Sequence, residues 1–276
     1  MNYRHAFHAG NFADLVKHAI LLLLIERLTL SLDPLVAVDT HAGAGAYDLQ
    51  GEAAAKSGEA QAGILRLMED AQAPAAFSAL KQAVIALNGG GPVRFYPGSP
   101  SLIAGALRPT DHYLACELRS DDHATLQQAL KPYDFATARQ ADGYAAAPGA
   151  LEPKRRALVL IDPPFEAADD YERIAGAVAA ILSRQPRATI AVWVPLKDLE
   201  TFDALLRRLE DAGVSDMLVA EARLRRLIDP LKMNGCAMLL VGAPAGLDHT
   251  LTEVVQWVAR KLGNADGLGR VWRPAG

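Results

Sequence analysis

Leu158-Val159-Leu160-Ile161-Asp162-Pro163-Pro164-Phe165 places four apolar residues in a row between the basic run Lys154-Arg155-Arg156 and two prolines. A run of that length bounded by turn signals reads as a strand buried on both faces. It stops at an acid, so Asp162 lies at the carboxyl end of the strand. In open α/β sheets that edge is where ligands bind, because the crevice opens there and the following loop is free to vary. Pro163 and Pro164 remove two backbone donors and fix φ, which makes the turn stiff and turns its carbonyls outward. Phe165 adds a flat apolar face one step from the carboxylate. Such a group suits a planar heteroaromatic amine. The carboxylate and the Pro163 carbonyl can both accept from an exocyclic NH2 while the ring stacks on the aromatic. A stiff turn with a buried aromatic would spell the same four residues, so the rest of the chain decides between the two.

Working outward, residues 35–40 form a first strand ending in Asp39, and His41-Ala42-Gly43-Ala44-Gly45 follows at once. Glycines here let backbone N–H groups approach a ligand where a Cβ would collide. The third glycine of the dinucleotide pattern is missing and no Walker lysine follows, which argues against NAD and ATP. A second strand at 112–117 ends in Glu117, an acid placed to take both hydroxyls of a ribose. A third, 135–140, precedes Asp142-Gly143, where the acid can accept from an adenine amine and the glycine can admit the base. Strands at 189–194, 216–222 and 236–242 complete seven, with an antiparallel last pair. Helices are expected at 11–30, 101–107, 121–130 (capped by Ser120), 169–183, 198–212 and 247–262. The fold is therefore α/β, a doubly wound sheet with acids Asp39, Glu117, Asp142 and Asp162 at four strand ends on one edge.

A plain strand-helix-strand unit needs about thirty residues, yet the second strand comes far later than that. Residues 59–70 and 75–88 carry helical apolar spacing, and Gly89-Gly90-Gly91-Pro92 stops the second. Residues 47–95 read as a small helical subdomain inserted into a main domain of 1–46 and 96–276. Tyr96-Pro97-Gly98-Ser99-Pro100 then brings a stiff turn and a hydroxyl back to the site. The leader Met1-Asn2-Tyr3-Arg4-His5-Ala6-Phe7-His8-Ala9-Gly10 has no period and reads as an arm of stacking and hydrogen-bonding side chains. Asn11 caps the first helix with Asp14 at the capping-box position. On that helix Asn11, Asp14 and His18 share a polar stripe, and Val16, Ile20 and Leu23 lie opposite. A metal site on His5 and His8 with Asp14 or His18 competes for the same residues.

Composition sets wider bounds. At 276 residues and 51% hydrophobic content the chain can bury a large core. A net charge of -4 gives no global sign of nucleic-acid binding, so such a partner must be met by a local patch. Cys116 and Cys236 sit in apolar, strand-like runs without metal-ligand spacing and read as reduced core residues of a cytosolic protein. The longest early apolar run, 19–25, is too short to span a bilayer, and neither a signal peptide nor a membrane helix is expected.

Asp39-Thr40-His41-Ala42-Gly43-Ala44-Gly45 resembles the first motif of class I methyltransferases, and Asp162-Pro163-Pro164-Phe165 resembles the signature of amino-methyltransferases that use S-adenosylmethionine. Together with Tyr3-Arg4-His5-Ala6-Phe7-His8-Ala9-Gly10-Asn11 and Tyr96-Pro97-Gly98-Ser99-Pro100 they look like one family over essentially the whole chain, the RlmJ family of bacterial 23S rRNA adenine-N6 methyltransferases. The resemblance implies a class I methyltransferase with a Rossmann-like seven-stranded sheet. It also implies S-adenosylmethionine as cofactor and methylation of one adenine, position 2030 in the usual rRNA numbering, by a cytoplasmic monomer acting on naked rRNA without an obligate protein partner, a membrane or a metal. On the matching positions His18, His41, Ser99, Glu117, Asp142 and Gly143 would bind the cofactor, with Gly43 from the glycine turn. Asp162 would be the catalytic acceptor, with the Pro163 carbonyl beside it and Phe165 stacking. Tyr3 would contact the substrate, along with Arg4, His5 and Lys17. Further phosphate contacts are expected from Lys154, Arg155, Arg156, Arg223, Arg225, Arg226 and Lys232. Phe165 departs from the more usual tyrosine and loses its hydroxyl. Competing readings are an amino-methyltransferase for DNA adenine or protein glutamine, an RNA-binding protein holding the cofactor as a structural ligand, and a metal hydrolase on His5, His8 and His18.

Overall fold

The computed structural model describes residues 7–229 and 233–274. Helix α1, Phe12–Thr29, leads to strand β1, Leu35–Asp39. A long excursion follows: strand β2 (Ala46–Asp48), helix α2 (Glu52–Ser57), a π-helical turn Gln61–Leu65 running into α3 (Arg66–Glu69), a 3-10 turn Ala75–Phe77 running into α4 (Ser78–Leu87), and strand β3 (Phe95–Pro97), which pairs back onto β2. Helix α5 is Ser99–Ala106. Strand and helix then alternate through β4 (His112–Cys116), α6 (Ser120–Leu130), β5 (Ala136–Arg139), α7 (Gly143–Ala150), β6 (Arg156–Ile161), α8 (Asp170–Arg184), β7 (Thr189–Leu196) and α9 (Leu199–Asp211). Strands β8 (Met217–Arg223) and β9 (Gly235–Val241), helix α10 (Asp248–Leu262) and strand β10 (Leu268–Trp272) complete the chain.

The main sheet runs β10-β8-β9-β7-β6-β1-β4-β5. The five strands from β7 to β5 are parallel, and β9 lies antiparallel between β7 and β8. All seven expected strands are present, and β10 adds an eighth, antiparallel to β8 at the sheet's edge. From β1 the chain goes to β4 and β5 on one side and returns through β6 to the other. The order therefore reverses around β1, and the crevice of a doubly wound sheet opens at such a reversal.

Strands buried on both faces carry unbroken apolar runs, and their alternation divides the core. Leu35, Ala37, Leu158 and Leu160 point to the layer holding α1, α5 and α10; Val36, Val38, Val159 and Ile161 point to that of α7, α8 and α9. Helix α1 departs from the amphipathic reading. It is covered by β9, α5, α10 and α4, so Asn11, Asp14 and His18 are as buried as Val16 and Ile20, while Leu23 is partly exposed. Smaller departures are local. Helix α5 starts two residues early, with a proline in its first turn, a position that lacks a helical acceptor anyway. Arg119, not Ser120, precedes α6, with no side-chain cap. Among the described residues no helix is long and apolar enough to cross a membrane.

Candidate active site

The carboxyl ends of β1, β4, β5, β6 and β7, with the first turns of α1, enclose a cleft of about 1330 Å³. Lys17, His18, His41, Gly43, Ser99, Glu117, Asp142, Gly143, Asp162, Pro163 and Phe165 all line it. Tyr3, Arg4, His5 and Lys232 lie outside the described residues.

At its floor lies a buried ionic cluster. Lys17 Nζ donates to Asp162 Oδ2 at 2.6 Å and lies 2.9 Å from Asp14 Oδ1. Burial works against the ammonium, but the two carboxylates outweigh it and hold its pKa well above the ordinary lysine value. Lys17 is only 4% exposed, which corrects its reading as a phosphate contact: its charge is spent on the acids beneath the cleft. Beside it Asp39 Oδ2 accepts from Ser99 Oγ at 2.6 Å and Oδ1 from the His41 amide at 3.2 Å. Burial, reinforced by the negative charge of Asp162, pushes the Asp39 pKa up to about 7 against the pull of Ser99. His18 is fully buried, its Nδ1 2.7 Å from the Tyr96 hydroxyl and its ring stacked on Tyr96 at 5.5 Å.

Toward β4 and β5 the carboxylates are held by backbone. Glu117 follows β4 directly; its Oε2 accepts from the Gly43 amide at 2.9 Å and its Oε1 from the Arg119 amide at 2.8 Å. Gly43 sits at φ +67, a conformation glycine enters without a steric penalty. Asp142 is the N-cap of α7, a helix the sequence reading did not place. Its Oδ1 accepts from Tyr144 N at 3.1 Å, and its Oδ2 pairs with Arg173 at 2.5 Å. Arg173 also lies over the Tyr144 ring, 4.4 Å from its centroid. Gly143 lines the cleft, and a Cβ there would run into the backbone of Thr40, so glycine also seats α7 against the end of β1. The Thr40 hydroxyl donates to the Leu160 carbonyl at 3.0 Å, so His41 Nδ1, 2.8 Å away, carries the proton toward Thr40. Burial lowers the His41 pKa to about 4, and the neutral ring keeps Nε2 as an acceptor.

The remaining wall is aromatic. Phe165 adopts φ +51, the only positive φ among described non-glycine residues, at a cost of about 1–2 kcal/mol. Its ring lies 5.1 Å from Tyr171 and 5.7 Å from Trp193. Trp193 belongs to β7 and lines the cleft. Sequence reasoning missed it, although an aromatic inside the strand next to β6 was the available signal.

The base of the arm is docked on the excursion. Asn11 Oδ1 accepts from the amides of Ala13 and Asp14, and Asp14 Oδ2 accepts from Gly10 N. Glu59 takes His8 Nδ1 and Asn11 Nδ2, each at 2.9 Å. The Gly10 carbonyl accepts from Ile64 N at 2.8 Å within the π-helical turn, and a Cβ on Gly63 would strike that carbonyl. His8 binds Glu59 and His18 binds Tyr96, and among the described residues, which leave out His5, no cluster of three metal-binding side chains occurs.

Several expected phosphate contacts are engaged elsewhere. Arg156 opens β6, at the edge opposite the cleft, and donates to the Leu28 carbonyl; Arg155 pairs with Glu152. Arg223 pairs with the buried Glu221.

Comparisons with known proteins agree with this architecture. Residues 33–273 match the family model described as "Ribosomal RNA large subunit methyltransferase D, RlmJ". The chain is similar to ribosomal RNA large subunit methyltransferase J of Escherichia coli strain K12, 34% identical over 95% of this chain and 94% of that protein. It is similar also to the protein of that name from Haemophilus influenzae, 33% identical over the same shares. The crystal structure of a Legionella pneumophila protein superposes with a TM-score of 0.90 at 26% identity, covering 97% of this chain and 99% of that one. With a family model matched over most of its length and full-length relatives above 30% identity, this chain belongs to the RlmJ family of ribosomal RNA large subunit methyltransferases.

Proposed function

We propose that this methyltransferase transfers a methyl group from S-adenosylmethionine to N6 of a single adenine in 23S rRNA, as a cytoplasmic monomer acting on naked rRNA. Methyl transfer to rRNA follows from the family. The observation that supports an adenine amine as acceptor is Asp162 at the end of β6, followed by two prolines and by Phe165 at φ +51, in one cleft with Glu117.

The residues present fit S-adenosylmethionine. Glu117 has both oxygens anchored by amides, one of them from the glycine turn, and offers the pair of acceptors that a ribose diol needs. When bound, the cofactor supplies an electrophilic methyl on a sulfonium. Glu117 would take the ribose hydroxyls, and Gly43, Asp142 and Gly143 would shape the adenosine side of the site. His41 would offer its neutral Nε2, and His18 and Ser99 would form the wall behind.

Asp162 gives Oδ2 to Lys17, which leaves Oδ1 without a protein donor among the described residues. That oxygen and the Pro163 carbonyl would accept the two N6 hydrogens, and Phe165 would stack on the base. Lys17 balances the carboxylate from behind and fixes its direction. N6 becomes acidic once methylated, so Asp162 need only hold the amine and pass a proton outward; positioning does most of the work. The arm residues Tyr3, Arg4 and His5, outside the described residues, would contact the substrate. Residues 47–95 are proposed as an inserted subdomain between 1–46 and 96–276, its role being to seat that arm through Glu59 and Ile64.

The test is transfer of labelled methyl to 23S rRNA, naked and assembled, with DNA and protein substrates alongside, followed by mass mapping of the product. N6-methyladenosine at one site on naked rRNA is expected; transfer to DNA or protein instead of rRNA would refute the reading. Asp162→Ala is expected to lower transfer by about 10²–10⁴-fold while the cofactor still binds. Equal loss of both would contradict the division of roles.

A further inference from the structure

The chain carries a net charge of -4, so a polyanionic substrate must be met by a local patch. Among the described residues four lysine and arginine side chains line the cleft: Lys17, Arg119, Arg173 and Lys197. The first three are committed. Lys17 lies between Asp14 and Asp162, Arg119 between Asp121 and Asp122, and Arg173 on Asp142. Among the described residues Lys197 is exposed and bears no carboxylate partner. It is the first residue beyond β7, the strand next to the one that ends at Asp162.

The surface continues in one direction from Lys197. Leu196, Gly235 and Arg223 are in register across β7, β9 and β8, so the loop leaving β8 rises at the cleft edge of the sheet. Arg225 and Arg226 in that loop are exposed and likewise unpaired among the described residues. Asn234, fully buried, ties the two loops together: its Nδ2 donates to the carbonyls of Lys197 at 3.2 Å and Asp229 at 2.7 Å. Its backbone bonds Leu196 and Leu224. The opposite flank presents Asp48, Glu52, Glu59, Asp121 and Asp122 to the cleft. Among the described residues the β7 rim carries cations without a carboxylate partner, whereas the acids of the other flank are already paired with Arg94, Lys56, His8 and Arg119 and leave no free cation there for a phosphate.

We propose that the phosphodiester backbone flanking the target nucleotide crosses the mouth of the cleft on the β7 side, its phosphates neutralised by Lys197, Arg225 and Arg226. This inference rests on an RNA substrate. Lys197 stands nearest the reacting base and the two arginines meet phosphates further along the strand. Contacts of this kind position the RNA and carry no sequence information.

The test is equilibrium binding of a 23S rRNA fragment as salt is raised, with KM for the same RNA in methyl transfer. Each phosphate contact contributes roughly 0.7–0.9 to the slope of log K against log salt. The triple variant Lys197→Ala, Arg225→Ala, Arg226→Ala is expected to flatten that slope by about two and to raise KM for RNA, with cofactor affinity unchanged. The charge-conserving variant Lys197→Arg, Arg225→Lys, Arg226→Lys should keep the wild-type slope, and Lys154→Ala, at the far edge, should change nothing. A wild-type slope in the triple variant, with wild-type protein methylating the RNA, would overturn this inference and leave the proposed function standing. Wild-type protein that neither binds nor methylates rRNA would overturn both.

Discussion

The two ends of the cleft handle their acids in opposite ways. Toward β4 and β5, Glu117 has both oxygens on backbone amides, and Asp142 has one on an amide and the other on Arg173; the amides stay in place whatever the carboxylates bind. On the floor, Asp14 and Asp162 share one ammonium, and Asp39 leans on Ser99 with burial against it. An amide-held acid can exchange ligands without endangering the fold. A floor acid cannot, because removing one member leaves another charge uncompensated. The difference suits a cofactor that enters and leaves at one end and a carboxylate that must keep one direction at the other.

The largest effect should come from Lys17, the cation that Asp14 and Asp162 share. Lys17→Met takes the shared ammonium from Asp14 and Asp162 in a buried site, and the loss of one partner from a buried pair costs about 3–5 kcal/mol. Urea unfolding is expected to register that loss together with collapse of methyl transfer, and Lys17→Arg should recover stability before activity. Wild-type stability in Lys17→Met would mean that the cluster is not what holds the floor together.

Asp39 distinguishes the two ends next, through pH. Its folded pKa, near 7 because of burial, is above the unfolded value of 3.8, so the folded state holds the proton more tightly. The stability this provides is complete below about pH 4 and is lost as pH rises through about 7. Asp39→Asn removes the titration. Relative to wild type the variant should gain up to about 4 kcal/mol between those limits, read as the difference in unfolding free energy at acid and neutral pH. A difference that stays flat across the range would show that Asp39 does not titrate there.

At the other end the same kind of change should spare the fold. Glu117→Gln keeps an oxygen for one amide and loses charge, so stability should move by no more than about 1 kcal/mol. Cofactor affinity should fall about tenfold to a hundredfold, or about 1.4–2.7 kcal/mol, by calorimetric titration. A Glu117→Gln protein that unfolds as Lys17→Met does would erase the contrast.

The acids at four strand ends were legible because strand, acid and turn are consecutive in the chain. The cluster beneath them was not. Lys17 and Asp162 stand 145 positions apart, and nothing local in α1 says that its polar stripe faces a buried carboxylate. The stripe itself was visible, but a helix covered on most sides buries polar and apolar faces alike. Asp142-Gly143 has a second, structural role that the sequence did not announce: the acid caps α7, and the glycine admits the Thr40 backbone. The run Lys154-Arg155-Arg156 was misplaced although the sequence held the answer, since residues that enter a strand lie at the edge opposite the one its acid reaches. Glu59 had no signal, because its partners come from a segment of irregular backbone.

That last residue offers the smallest effect and the finest test. The Glu59–His8 pair is partly exposed, with side chains 34% and 40% accessible, and water screens such pairs to well under about 1 kcal/mol. The hydrogen bond to Glu59 raises the His8 pKa above 6.5, burial opposing. By the same sign rule as for Asp39, the pair's contribution is full below that value and fades as pH rises through the shifted one. Glu59→Gln should therefore release the arm more at about pH 5.5 than at about pH 8, seen as faster limited proteolysis near His8, with the global unfolding midpoint almost unmoved. Because Asn11 shares the same carboxylate and caps α1, a release that is independent of pH would assign the anchoring to Asn11 and leave His8 as a bystander. A shift of the global midpoint would instead join the arm's seat to the floor cluster through Gly10 and Asp14.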